Sequence, residues 1–141
     1  MENGKVTGAR DDSARRRSAR LRGDELADRL VEFGVRVIRM TGALPKNYAG
    51  KHVAQQLLRS ATSAGANYEE ARGAGSKRDF VHKVALTLKE LKESGYWLRL
   101  VCEAGLLAPK RAEPLSEECA ELCAIMAKSL KTARASVGQK G

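Results

Sequence analysis

With 141 residues, 26 Lys and Arg against 17 Asp and Glu, and a formal charge of +9, the chain is one domain-sized basic unit. That length buries a core without disulfides or metal, and the charge suits an acidic partner such as RNA, DNA or a protein surface. No apolar run approaches the ~18 to 20 residues of a membrane span, the N-terminus lacks a signal-peptide apolar region, and three cysteines give no disulfide framework, so a cytoplasmic protein with reduced thiols is expected.

Residues 1–23, "MENGKVTGARDDSARRRSARLRG", hold seven basic side chains against three acids and almost no large apolar ones. Such composition predicts a disordered basic arm, or one that is helical only when bound. Asp24 then offers an N-cap, and Leu26, Leu30, Phe33 and Val37 recur at spacings of 4, 3 and 4, which predicts a first helix over 24–42. Pro45 ends it. The second helix is predicted over 48–73, with core positions Val53, Leu57, Ala61, Ala64, Tyr68 and Ala71 small enough in the middle for a neighbouring helix to approach closely. Ser76 with Asp79 three residues on forms a capping-box start for the third, over 77–105, whose stripe runs Phe80, Val84, Leu88, Leu91, Gly95, Leu98, Cys102. The fourth, over 110–135, shows Leu115, Cys119, Leu122, Met126 and Leu130, and residues 137–141 are expected to fray. Gly34, Gly65 and Gly95 interrupt these helices at a cost of roughly 1 kcal/mol each, for which close helix contact is the expected return.

Four amphipathic helices joined by short loops predict an all-α, antiparallel up-down-up-down four-helix bundle over 24–136. The alternation of 3 and 4 favours shallow, coiled-coil-like crossings.

Within the second helix, "RSATSAGANYEEARG" carries a polar stripe: Ser60, Ser63, Asn67 and Glu70, at spacings of 3, 4 and 3. If the second and third helices are antiparallel about Gly73–Gly75, Glu70 and Asn67 face Lys83, Ser63 faces Thr87, and Arg59 and Ser60 face Glu90. The stripe is therefore expected to be a satisfied seam between helices, with Glu70–Lys83 and Arg59–Glu90 as ion pairs, rather than a ligand site. Cys119 and Cys123 lie four apart, but only His52 and His82 could complete a tetrahedral set, so no metal is expected. "GAGS" lacks the lysine and preceding strand of a phosphate loop. No cofactor and no catalytic residue is expected, and the chain reads as a non-enzyme. Candidate phosphate contacts are Arg15, Arg16, Arg17, Arg20 and Arg22 in the arm, with Lys46, Lys51, Lys77, Arg78, Lys110 and Arg111 on the outer faces. With no base-reading motif among them, binding should be sequence-tolerant and salt-dependent.

The stretch "ALPKNYAGKHVAQQLLRSATSAGANYEEARGAGSKRDFVHKVALTLKELKESGYWLRLV" resembles the four-helix bundle family of 23S rRNA-intervening-sequence proteins. Similarity runs from about Glu25 to Arg134. It is carried by Gln56, Arg59, Ser60, Ser63, Asn67 and Glu70, then by Ser76, Phe80, Lys83, Glu90, Glu93 and Trp97. The resemblance implies a bundle commonly assembled as a ring-shaped homopentamer. Related accessory proteins of diversity-generating retroelements bind a reverse transcriptase and its RNA. The implied function is a non-enzymatic oligomer that binds nucleic acid, RNA foremost, as accessory factor to a reverse transcriptase. The alternative is a structural or protein-interaction scaffold with no nucleic-acid role. The arm, 1–23, is not expected in the compact family core.

Overall fold

The structure, a computed structural model, describes the backbone of residues 3–138 and the side chains of residues 11–138. Expectations for residues 1–2 and 139–141 fall outside the described residues. Four helices make up the fold: α1 (Asn3–Ala43), α2 (Tyr48–Arg72), α3 (Lys77–Glu103) and α4 (Pro109–Gly138), with no strand among the described residues. Each helix packs on the next in sequence and α4 returns to α1, while α1 and α3 stand diagonally apart. The connections are short, so neighbours are antiparallel.

Burial repeats every seven residues. Leu26, Leu30, Phe33, Val37 and Met40 of α1, with Leu44 just past its end, face Val84, Leu91, Leu98 and Val101 of α3 across a core completed by Leu57 and Ala64 of α2 and by Leu115, Leu122 and Met126 of α4. A repeat of 3.5 keeps one seam facing its neighbours along the whole helix. Each large apolar side chain fully removed from water contributes about 1.5–3 kcal/mol.

The helix ends follow local chemistry. Asn47 Oδ1 accepts from Gly50 N at 2.9 Å and Ser76 Oγ from Asp79 N at 3.1 Å, so each side chain satisfies an otherwise orphaned donor. α3 closes in a Schellman motif: Leu106 N donates to Val101 O at 3.0 Å and Gly105 N to Cys102 O at 3.2 Å, with Gly105 at φ +65°. The close approach that requires a glycine is at Gly50, where a Cβ would overlap the Pro45 carbonyl oxygen and lie 2.8 Å from its carbon. Of the three glycines singled out by helical interruption, Gly65 and Gly95 make only ordinary contact, 3.8 Å to Leu30 and 3.7 Å to Cys119. Gly34 has nothing within 4 Å.

The N-terminal segment corrects the expectation of a disordered arm. α1 starts at Asn3 rather than Asp24, and the arm is its first half. Alanine and arginine are good helix formers, Asp11 and Arg15 pair at 2.7 Å one turn apart, and a helix already nucleated by the bundle extends without a second nucleation cost. Low hydrophobicity only prevents this segment from packing: every residue from Asp11 to Arg22 is exposed. Contact with α2 begins at Gly23, beside the Tyr68 hydroxyl, and at Asp24, which pairs with Arg72.

Candidate nucleic-acid interface

Antiparallel packing sorts the candidate cations into two regions. Arg15, Arg16, Arg17, Arg20 and Arg22 lie on the projecting half of α1, at the end of the bundle where Lys77 and Arg78 open α3. Lys46, Lys51, Lys110 and Arg111 lie at the opposite end, beside the α1–α2 and α3–α4 loops. The 25 residues of α2 separate the two regions by roughly 37 Å at 1.5 Å per residue. All eleven side chains are exposed. Arg15 is partly neutralised by Asp11, and Lys77 Nζ donates to Ser136 Oγ at 3.0 Å. The other nine make no ion pair among the described residues. Arginines that stay unpaired at a surface are the groups that exchange counterions for phosphates.

Between these regions runs the α2–α3 seam. Lys83 Nζ donates to Glu70 Oε2 at 2.8 Å, and this hydrogen bond raises the Lys83 pKa. Arg59 reaches Glu90 at 3.3 Å and also pairs with Glu93. These are surface pairs, with Arg59 48% and Glu70 59% exposed, so solvent screens them and each contributes far less than a buried ion pair loses when broken. The buried part of the seam is made of hydroxyls. Ser60 and Ser94, both fully buried, lie 2.8 Å apart, and Thr87 Oγ1 donates to Lys83 O at 2.9 Å. Ser60 thus meets Ser94 rather than Glu90, one turn beyond the register expected. Asn67 Nδ2 turns back onto Ser63 O at 2.9 Å, and Ser63 is half-buried beside it. Among the described residues no buried side-chain polar atom is left without a partner.

The remaining reactive groups are few. Cys119 is buried and donates to Leu91 O at 3.2 Å; the neighbouring Cys123 thiol and burial raise its pKa, while Cys119 beside it lowers that of Cys123. Among the described residues no three His, Cys, Asp or Glu side chains are grouped to hold a metal, and no helix is long and apolar enough to cross a membrane. His52 packs edge-on against Trp97 at 5.7 Å, and Tyr96 does the same at 5.0 Å, forming an aromatic group on the outside of α2 and α3.

Two cations that the sequence did not single out, Arg36 and Arg39, join Arg111 around a cavity of about 210 Å³ between α1 and α4. Their only mark in the sequence is position: one turn apart, flanking the apolar stripe at Val37 and Met40.

Comparison with known proteins agrees with this architecture. The family described as 23S rRNA-intervening sequence protein matches residues 25–128. A solved structure from Bacteroides thetaiotaomicron, described as a protein of unknown function from the S23 ribosomal protein family, superposes with a TM-score of 0.72 at 30% identity. The match covers 77% of this chain and 97% of that one. No curated protein matches. The match spans all four helices and leaves outside it only the projecting half of α1 and the end of α4, so the chain belongs to the 23S rRNA-intervening sequence protein family.

Proposed function

We propose that the protein is a non-enzymatic RNA-binding accessory protein whose projecting helix supplies the main phosphate contacts. The observation that carries this reading is the exposed half of α1, where five arginines stand over residues 11–22 against two aspartates and no residue is buried. At 100° per residue Arg15, Arg16 and Arg17 fan around the helix, so no face is reserved for a protein core and several faces meet phosphate. The basic residues at the loop end, Lys46, Lys51, Lys110 and Arg111, offer a second anchoring region. The family's name, which refers to ribosomal RNA, favours RNA over DNA. In this reading the bundle assembles as a homopentameric ring that presents several arms at once, raising avidity without new contacts. Its most specific form is an accessory role to a reverse transcriptase.

The test is fluorescence anisotropy with a structured RNA between ~50 and 200 mM salt. The full chain is compared with a variant in which Arg15, Arg16, Arg17, Arg20 and Arg22 are alanine. Each lost phosphate contact should remove close to one unit of the log–log salt slope. Affinity unaffected by salt, or an unchanged slope in the variant, overturns the reading. Light scattering tests the ring.

The aromatic group of His52, Tyr96 and Trp97, with Tyr48 95% exposed at the start of α2, favours a second reading, a protein-interaction scaffold. A co-purifying protein partner together with no RNA affinity would decide for it.

A further inference from the structure

The α1–α4 seam, the least extensive contact in the bundle, is built differently at two registers seven residues apart. At the first, Arg29 donates to both oxygens of Glu118, Nη2 at 2.6 Å and Nε at 3.3 Å, and lies 3.2 Å from Glu121. The hydrogen bond to Glu118 raises the Arg29 pKa, and the ion pair closes the seam. One heptad nearer the loops, Arg36 takes the place of Arg29, while Arg111 and Pro114 take the places of Glu118 and Glu121. A cation now faces a cation, and Arg39 adds a third one turn along α1. Here α1, the start of α4 and the loop before it leave a half-open pocket of about 210 Å³, with Met40, Leu107 and Leu115 as an apolar floor, the three arginines around it, and no carboxylate in its lining. None of the three makes an ion pair among the described residues.

Like charges one turn apart and across a seam repel, and an anion placed among them converts repulsion into charge-assisted hydrogen bonds. Guanidinium forks match phosphate oxygens in pairs and also stack on flat π-systems. The floor is apolar, formed where Met40, Leu107 and Leu115 reach the pocket, which suits a flat aromatic body beside the anion rather than a bare ion. Sites for drug-sized molecules begin near ~300 Å³, so this one is sized for a single small unit.

We propose that this cavity seats one nucleotide, its phosphate held by Arg36, Arg39 and Arg111 and its base lying against Met40, Leu107 and Leu115. The identification of that nucleotide as part of a single-stranded RNA rests on the RNA-binding reading above; the nucleotide chemistry itself rests on the cavity.

The experiment uses the full chain and titrates AMP, and separately inorganic phosphate, by calorimetry, then a fluorescent single-stranded RNA by anisotropy with AMP as competitor. Arg111→Glu places a carboxylate opposite Arg36, as Glu118 stands opposite Arg29, so it should leave the melting temperature unchanged or higher while weakening AMP at least tenfold. Arg36→Gln with Arg39→Gln gives a second route to the same loss. Lys128→Glu, the same charge change on an exposed part of α4 away from the cavity, should weaken AMP less than threefold. AMP should bind at one site per chain, at least tenfold tighter than inorganic phosphate, and should displace the RNA from this contact. No AMP binding, or equal losses in Arg111→Glu and Lys128→Glu, overturns the proposal whatever the RNA does. AMP binding that depends on Arg111, with no RNA affinity in any variant, supports the nucleotide site and overturns the RNA-binding reading.

Discussion

Replacing Ser60 tests whether the buried hydroxyl seam is there to hold two helices close. Three hydrogen-bond contacts converge on this pair: Ser60 Oγ to Leu57 O at 3.2 Å, Ser94 Oγ to Glu90 O at 2.9 Å, and the two hydroxyls at 2.8 Å. Two hydroxyl protons cannot serve all three. The shorter backbone contact is the better one, so Ser94 donates to Glu90 O and Ser60 donates to Ser94. In Ser60→Ala the remaining hydroxyl keeps its donated bond and loses only an accepted one, at a cost of about 0.5–1 kcal/mol. Ser60→Val loses the same bond, puts a methyl in place of the hydroxyl and forces one further methyl into a fully buried position, which costs about 1–3 kcal/mol in overpacking alone. Near the midpoint 1 kcal/mol corresponds to roughly 3–5 °C for a chain of this size. Urea unfolding followed by circular dichroism should therefore rank wild type above Ser60→Ala above Ser60→Val. If valine is tolerated as well as alanine, the α2–α3 approach is not limited by side-chain volume and the spacer role is wrong.

Other variants probe the remaining joints. Gly50→Ala should cost on the order of 1–3 kcal/mol, because the new Cβ displaces the Pro45 carbonyl, whereas Gly34→Ala, with open space at its Cβ, should gain up to about 1 kcal/mol in the same unfolding assay. Glu118→Gln should destabilise by about 1 kcal/mol, since the pair with Arg29 is only partly buried, and the loss should shrink in a double-mutant cycle with Arg29→Gln; strict additivity would show that the pair contributes nothing. Burial raises the pKa of Tyr68, so its contribution is complete below the unfolded-state value of about 10 and is lost as pH rises through the folded value. Stability measured between pH 9 and 11 should thus fall more steeply in wild type than in Tyr68→Phe, and identical slopes would contradict the assignment.

The four bundle helices were legible because each buries one stripe and that stripe is local. Val84, Leu91 and Leu98 recur at the spacing that a seven-residue repeat demands, and the Ser76 cap and the glycine stop at Gly105 mark the third helix without reference to any other segment. The α2–α3 seam was partly legible for a similar reason: a four-residue turn joins the two helices, so register can be counted across it. The count was loose by a few residues, enough to set Ser60 opposite Glu90 instead of Ser94. The arm was misjudged because composition reports how much surface a segment can bury, whereas its helicity follows from alanine and arginine continuing a helix that the bundle has already started.

Amphipathic periodicity thus determined by itself that this chain is an all-α bundle and which faces of its helices are buried. Whether a flanking charge finds a carboxylate or another cation is a matter of register between helices far apart in sequence, and only the tertiary structure decided it. Arg29 and Glu118 are 89 positions apart, and nothing local distinguishes Arg29, which closes the seam, from Arg36, which faces Arg111 across a cavity. The same heptad that aligns the core carries both arginines to the α1–α4 contact. The side chains they meet there depend on how α4 returns to α1.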